Sequence, residues 1–140
     1  MSEYEPLTFR LSYGDCDVLG IAYFAMYYPW MERAYATWLY SHDIRAGELQ
    51  EEFGVIVVGV HSECTYRQMV RVFDELTVRL VLDRIGTTSY TLGFDFVRDG
   101  ETVTHGAITF VCRRPEGGGA EIPGRLMSVL RTLPEAAPAA

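Results

Sequence analysis

Pro29 constrains the fold of this chain more than any other single residue. Around it, Tyr27, Trp30, Met31, Ala34 and Trp38 recur at the spacing of one helical face, with Glu32, Arg33 and Thr37 opposite. Inside a helix a proline clashes with the preceding turn and removes a donor. In the first turn it costs little, because amides there have no intrahelical acceptor. The helix must therefore begin near residues 25–29, directly behind the glycine-hinged stretch YGDCDVLGIAYF (13–24). Asp15 and Asp17 fall at its electropositive end. From spacing alone they read either as turn and capping residues or as an acid presented to a substrate.

The rest of the chain is mostly strand. Leu7, Phe9, Leu11 and Tyr13 alternate with other residues and predict a first strand. RAGELQEEFG (45–54) predicts a short helix closed by Gly54. VIVVGVHSECTY (55–66) is rich in β-branched residues, and alternation follows at Leu76, Val78, Leu80, Leu82 and at Tyr90, Leu92, Phe94, Phe96. RDGE (98–101) marks a hairpin, and TVTHGAITFVC (102–112) is a last strand whose two faces are equally apolar. Such short turns join antiparallel strands, since parallel ones need long crossovers. The expectation is an α+β fold, a single domain over 1–133 in which a five-stranded antiparallel sheet covers one long helix. RLMSVLRTL (125–133) predicts a terminal helix, and 134–140 a flexible C-terminal tail.

Composition narrows the partners. A net charge of −7 argues against nucleic acid. All twelve basic residues are arginine, so no lysine can form a Schiff base. Cys16, Cys64 and Cys112 are widely spaced and show no metal-like pairing, so no metal or other cofactor is expected. The acidic N-terminus lacks a signal-peptide core, and no apolar run is long enough for a bilayer. These features predict a cytoplasmic protein with no membrane partner.

The stretch YGDCDVLGIAYFAMYYPWMERA resembles the signature of hotdog-fold thioesterases of the 4-hydroxybenzoyl-CoA thioesterase type. Its parts are Gly-Asp-x-Asp-x-x-Gly, a small apolar pair, an aromatic pair and a helix carrying Tyr and Trp. HSECTYRQMVRVFDELTVRLVLDRIG, continuing to FDFVR, is similar to hotdog thioesterases that release polyketide chains, including the enediyne type. The resemblance implies a single hotdog domain with its sheet wrapped around the long helix. It implies Asp17 as the catalytic carboxylate and the backbone amide of Phe24 as the group polarising the thioester carbonyl. The enediyne branch typically has Asn at the place of Asp17 and Arg at the place of Tyr35, so this chain sides with the carboxylate-using branch.

Thioester chemistry suits these parts. The leaving thiol is comparatively acidic, with a pKa of about 8.5 for a cysteine-like thiol, and departs without a strong general acid. A carboxylate can attack the carbonyl or activate water, while amides at a helix start stabilise the oxyanion. Asp15 and Gly20 are expected to shape the loop, and Tyr23 and Tyr27 to line an acyl pocket unless they serve the core. Relatives that bind CoA often carry basic side chains in the turn after the third strand, here Arg84 followed by Thr88 and Ser89. One arginine is thin provision for a nucleotide and favours a phosphopantetheine arm on an acyl carrier protein over CoA. Arg67, Arg71, Arg113 and Arg114 would restore the CoA reading if they gathered at the same mouth. The family further implies a homodimer or homotetramer. The resulting expectation is a thioesterase cleaving an acyl-CoA or carrier-bound, polyketide-like acyl thioester. The alternative is a non-catalytic acyl-binding or assembly partner of a polyketide or fatty-acid system.

Overall fold

The computed structural model describes residues 4–136. Strand β1 is Leu7–Arg10; helix α1, Tyr27–Ser41; helix α2, Leu49–Phe53; β2, Ile56–Tyr66; β3, Glu75–Ile85; β4, Ser89–Arg98; β5, Glu101–Arg113; and helix α3, Gly124–Leu130. The five strands form one sheet in the order β1-β3-β4-β5-β2, with every pair antiparallel. This is the expected α+β hotdog architecture, a sheet wrapped around α1.

One contact positions the helix against the sheet. Met31, wholly buried on α1, lies where a Cβ on Gly106 of β5 would stand. The missing side chain lets helix and strand approach closely. It also orients β5: Thr104, Gly106, Ile108 and Phe110 face inward opposite Phe96, Phe94, Leu92 and Tyr90. Sequence alternation alone left both faces of this strand equivalent. Tyr35 of α1 reaches the same layer, where its hydroxyl pairs with that of Tyr90 at 2.7 Å and its ring stacks on Phe110 at 4.6 Å. The two buried hydroxyls thus satisfy each other, and burial pushes the Tyr35 phenol up to about 12.

Boundaries depart from expectation where local turns intervene. The first strand ends at Arg10 rather than Tyr13, because Tyr13–Asp15 turns as a 3-10 helix. Gly54 closes α2 in the left-handed region at φ 72°, and Asp99 and Gly100 make the hairpin turn with φ 51° and 82°. The segment expected to be a tail from 134 is tied down at its start. Leu82 N donates to Pro134 O (2.8 Å), and Ala136 N donates to Leu82 O (3.1 Å). These residues cover the part of the β3 edge that four-residue β1 leaves bare. Residues 137–140 lie outside the described residues. Among the described residues, no helix is long and apolar enough to cross a membrane.

On the outer face, His105 sits between two carboxylates. Its Nδ1 lies 2.6 Å from Asp95 Oδ1, and its Nε2 lies 3.6 Å from Asp83 Oδ2. Gly93 beneath them leaves the room, since a Cβ there would press on Asp83, Val81 and His105. The Asp95 hydrogen bond raises the His105 pKa against the opposing effect of burial. A folded pKa above the unfolded one stabilises the fold fully below the unfolded value, and that stabilisation disappears as pH rises through the folded value. In urea titrations His105→Gln should therefore lose most stability relative to wild type near pH 5.5, with the gap closing as pH rises above the ordinary histidine value of about 6.5. A second core prediction concerns the helix–strand contact. Gly106→Ala should destabilise by about 1–3 kcal/mol through overpacking against Met31, read as a lowered urea midpoint.

Candidate active site

The acidic loop occupies the end of the sheet where β1, β2 and β4 finish and β3 and β5 begin. Asp15 and Asp17 divide the work of building it. Asp15 Oδ2 accepts from the Ser12 amide at 2.8 Å and lies 3.3 Å from its hydroxyl, while Asp15 O accepts from Tyr23 N at 2.8 Å. Asp17 closes the following turn: its backbone O accepts from Gly20 N, and its Oδ1 accepts from Leu19 N at 2.8 Å. Gly20 takes φ 74°, a left-handed conformation that returns the chain toward Ile21. Asp17 Oδ2 has no protein donor among the described residues, so one oxygen is anchored and the other is open.

Phe24 starts the helical run. Phe24–Met26 is a 3-10 turn leading into α1, with Pro29 in the first turn of the α-helix itself. The amide of the first residue of such a turn has no intrahelical acceptor and points outward. Tyr66, at the end of β2, donates its hydroxyl to Phe24 O at 2.7 Å and fixes this peptide. Its phenol is pushed up to about 12, chiefly by desolvation, and so remains a donor. Asp17 and Phe24 both line one cavity of about 360 Å³, together with Ile21, Ala22, Tyr27, Tyr66, Arg67, Gln68, Met69 and Val70.

The remaining expected residues distribute unevenly. Tyr27 serves core and cavity together: it is 2% exposed, its ring packs edge-on against Phe96 at 4.9 Å, and it lines the cavity. Tyr23 instead lines a separate hollow with Asp15, Trp30 and Arg33. Arg84, Thr88 and Ser89 are not brought to Asp17 within one chain. They lie at the opposite end of β3, whose eleven residues span about 33 Å. There Arg84 donates to Ser89 Oγ at 3.1 Å, and Thr88 O accepts from Cys112 N. Arg113 pairs with Ile56 at that far end too. Cys16 is flanked by both acids, and burial together with Asp15 and Asp17 raises its thiol pKa, which disfavours a thiolate nucleophile. Among the described residues, no set of three His, Cys, Asp or Glu side chains is arranged to hold a metal.

Sequence reasoning missed Tyr66, Gln68, Met69 and Val70. Tyr66 ends a predicted strand and Gln68, Met69 and Val70 follow it, and those positions do not reveal that segment 67–74 folds back onto the loop. Its backbone pairs with 20–22: Ala22 N donates to Val70 O at 2.7 Å and Val72 N to Gly20 O at 3.1 Å.

The chain is 24% identical over 125 residues to a 1,4-dihydroxy-2-naphthoyl-CoA hydrolase of Synechococcus sp. (strain CC9605), covering 79% of this chain and 84% of that one. Its fold matches a crystal structure of a 1,4-dihydroxy-2-naphthoyl-CoA thioesterase from Synechocystis with a TM-score of 0.79 at 17% identity, covering 89% of this chain and 93% of the other. It matches the dynemicin thioesterase with a TM-score of 0.78 at 24% identity, covering 94% and 97%. A model of the thioesterase-like superfamily matches residues 11–130, from the end of the first strand through the terminal helix. The chain therefore belongs to the thioesterase-like superfamily of hotdog proteins.

Proposed function

We propose that the chain hydrolyses an acyl thioester borne on CoA or on a phosphopantetheine arm, with Asp17 as the reacting carboxylate. The observation that carries this reading is that Asp17 and Phe24 line the same cavity, one oxygen of Asp17 open and the first amide of the helical run unpaired. A carboxylate is ionised at neutral pH. It attacks the carbonyl carbon, or takes a proton from a water that does so, and the oxyanion accepts from the Phe24 amide. Collapse breaks the carbon–sulfur bond and expels a thiolate, which takes a proton from solvent. On the nucleophile route water then cleaves the mixed anhydride and frees Asp17.

The substrate proposal draws on the similar proteins. The curated relatives are named for hydrolysis of 1,4-dihydroxy-2-naphthoyl-CoA, and the dynemicin thioesterase structures record polyene binding. Ile21, Phe24, Tyr27, Met69 and Val70 give the cavity apolar walls suited to an aryl or polyene acyl group. A carrier protein delivering the same arm is the second source of substrate, and a polyketide-like chain is the acyl group it would bring.

Two copies are proposed to pair through β2. This eleven-residue strand has a sheet partner on one side only, and an uncovered long edge favours association. Val18 and Leu19 stand exposed on the loop tip at 102% and 73%, apolar surface that a second copy would cover.

Thiol release from aryl-, polyene- and short-chain acyl-CoA thioesters tests the chemistry. Asp17→Asn keeps an oxygen for the Leu19 amide and should lower kcat by at least about 10²-fold at unchanged stability. Near-full activity in that variant would remove Asp17 from the mechanism, and no turnover of any thioester would favour the acyl-binding alternative. Light scattering should return an even multiple of the chain mass; a monomer at micromolar concentration refutes pairing through β2.

A further inference from the structure

Segment 67–74 crosses the ends of β5 and β4 on its way from β2 to β3, and it is stapled throughout. The amides of Arg67 and Gln68 both donate to Val103 O, at 2.8 and 3.1 Å. Arg98 Nη1 donates to Met69 O at 2.9 Å, and Phe73 N donates to Leu11 O at 3.0 Å. Midway, Arg71 stands opposite Ile21 in an antiparallel bridge. The hydrogen bonds on either side of this pair make it a non-hydrogen-bonded one, so the two side chains leave the same face close together. Ile21 lines the cavity, which puts the start of the Arg71 side chain at the cavity's rim. Arg67 lines the cavity directly.

Both guanidiniums are uncommitted. Among the described residues neither has a hydrogen-bond or carboxylate partner, whereas the acids around them are already engaged. Asp74 Oδ2 takes Arg98 Nη1 at 2.8 Å and the Arg71 amide at 2.9 Å. Glu75 pairs with Arg10 at 3.1 Å, and Glu101 accepts from Gln68 Nε2 at 2.9 Å. Arg67 therefore offers a free cation in a cavity whose only lining carboxylate, among the described residues, is Asp17, and the Arg71 side chain starts beside it, in a chain of net charge −7. At the far end of β3, by contrast, Arg84 is already bonded to Ser89.

We propose that Arg67 and Arg71 form a phosphoryl-binding subsite that holds the arm carrying the thioester; this rests on the thioesterase reading. The guanidinium fork matches phosphate oxygens bidentately. Spacing also suits an arm that separates phosphate from thioester. Ile21, the partner of Arg71, lies up to about 11 Å of extended chain from Phe24, and the arginine side chain adds reach at the rim. The phosphoryl group is that of phosphopantetheine, supplied either by a carrier protein or as part of CoA.

Calorimetric titration of the intact protein with pantetheine, 4′-phosphopantetheine and CoA tests this without requiring turnover. Wild type should bind 4′-phosphopantetheine about tenfold more tightly than pantetheine, an advantage that shrinks with added salt. The double variant Arg67→Gln/Arg71→Gln should bind the two alike, and Arg113→Gln should keep the wild-type preference. Equal affinity of CoA and 4′-phosphopantetheine assigns the subsite to the arm's own phosphate. A further gain with CoA that vanishes in the double variant extends the subsite to the nucleotide phosphates. The subsite is overturned if phosphate gives no advantage, if the double variant keeps it, or if Arg113→Gln abolishes it. Failure of pantetheine and 4′-phosphopantetheine alike to bind would overturn the thioester-arm reading with it.

Discussion

The close approach of α1 to β5 at Met31 and Gly106 is the contact on which the rest of the molecule depends. It fixes how deeply the helix sits in the curled sheet, and so where its N-terminal turn emerges. Pro29 prevents the helix from extending indefinitely toward the N-terminus. Between these two constraints, the first unpaired amides are delivered to one end of the sheet, beside the loop that carries Asp17. The placement of the Asp17 loop beside the helix start is thus a by-product of packing.

A second layer of fixation keeps that end in shape without burying it. Asp17 is exposed, yet the Leu19 amide holds one of its oxygens. Phe24 is 61% exposed, yet Tyr66 holds its carbonyl from the end of β2. Anchored but solvent-facing groups of this kind keep their geometry while staying available to a ligand, the arrangement a catalytic loop needs. Phe73 shows the backbone cost nearby. An aromatic residue at φ 71° is held in the left-handed region by hydrogen bonds through its own amide and carbonyl, to Leu11 O and from Arg10.

Much of this was legible in the sequence because it depends on local rules. Period-two alternation located β3 and β4, the Asp-Gly pair located the hairpin of β4 with β5, and Pro29 located the helix start. What stayed hidden was nonlocal. The inward face of β5 is decided by Gly106, a residue without a side chain to score. Strand order places β2 beyond β5, and no spacing along the chain encodes that. The path of 67–74 back onto the loop follows from strand order, so Tyr66, Met69 and Val70 could not be assigned to the cavity beforehand. The same nonlocality separates Arg84, Thr88 and Ser89 from Asp17 by the length of a strand.

The pairing of residues 134–136 with Leu82 has a practical bearing on how this domain can be joined to others. It anchors the end of the described chain at the part of β3 remote from the cavity. A polypeptide fused after Ala136 would depart from the side opposite the cavity that Asp17 and Phe24 line, leaving that cavity unobstructed. An extension spliced instead into the 11–23 loop, between β1 and the first helical turn, would sit on the entrance itself. The molecule is in this sense directional, with the acidic loop and its cavity at one end and the anchored end of the described chain at the other.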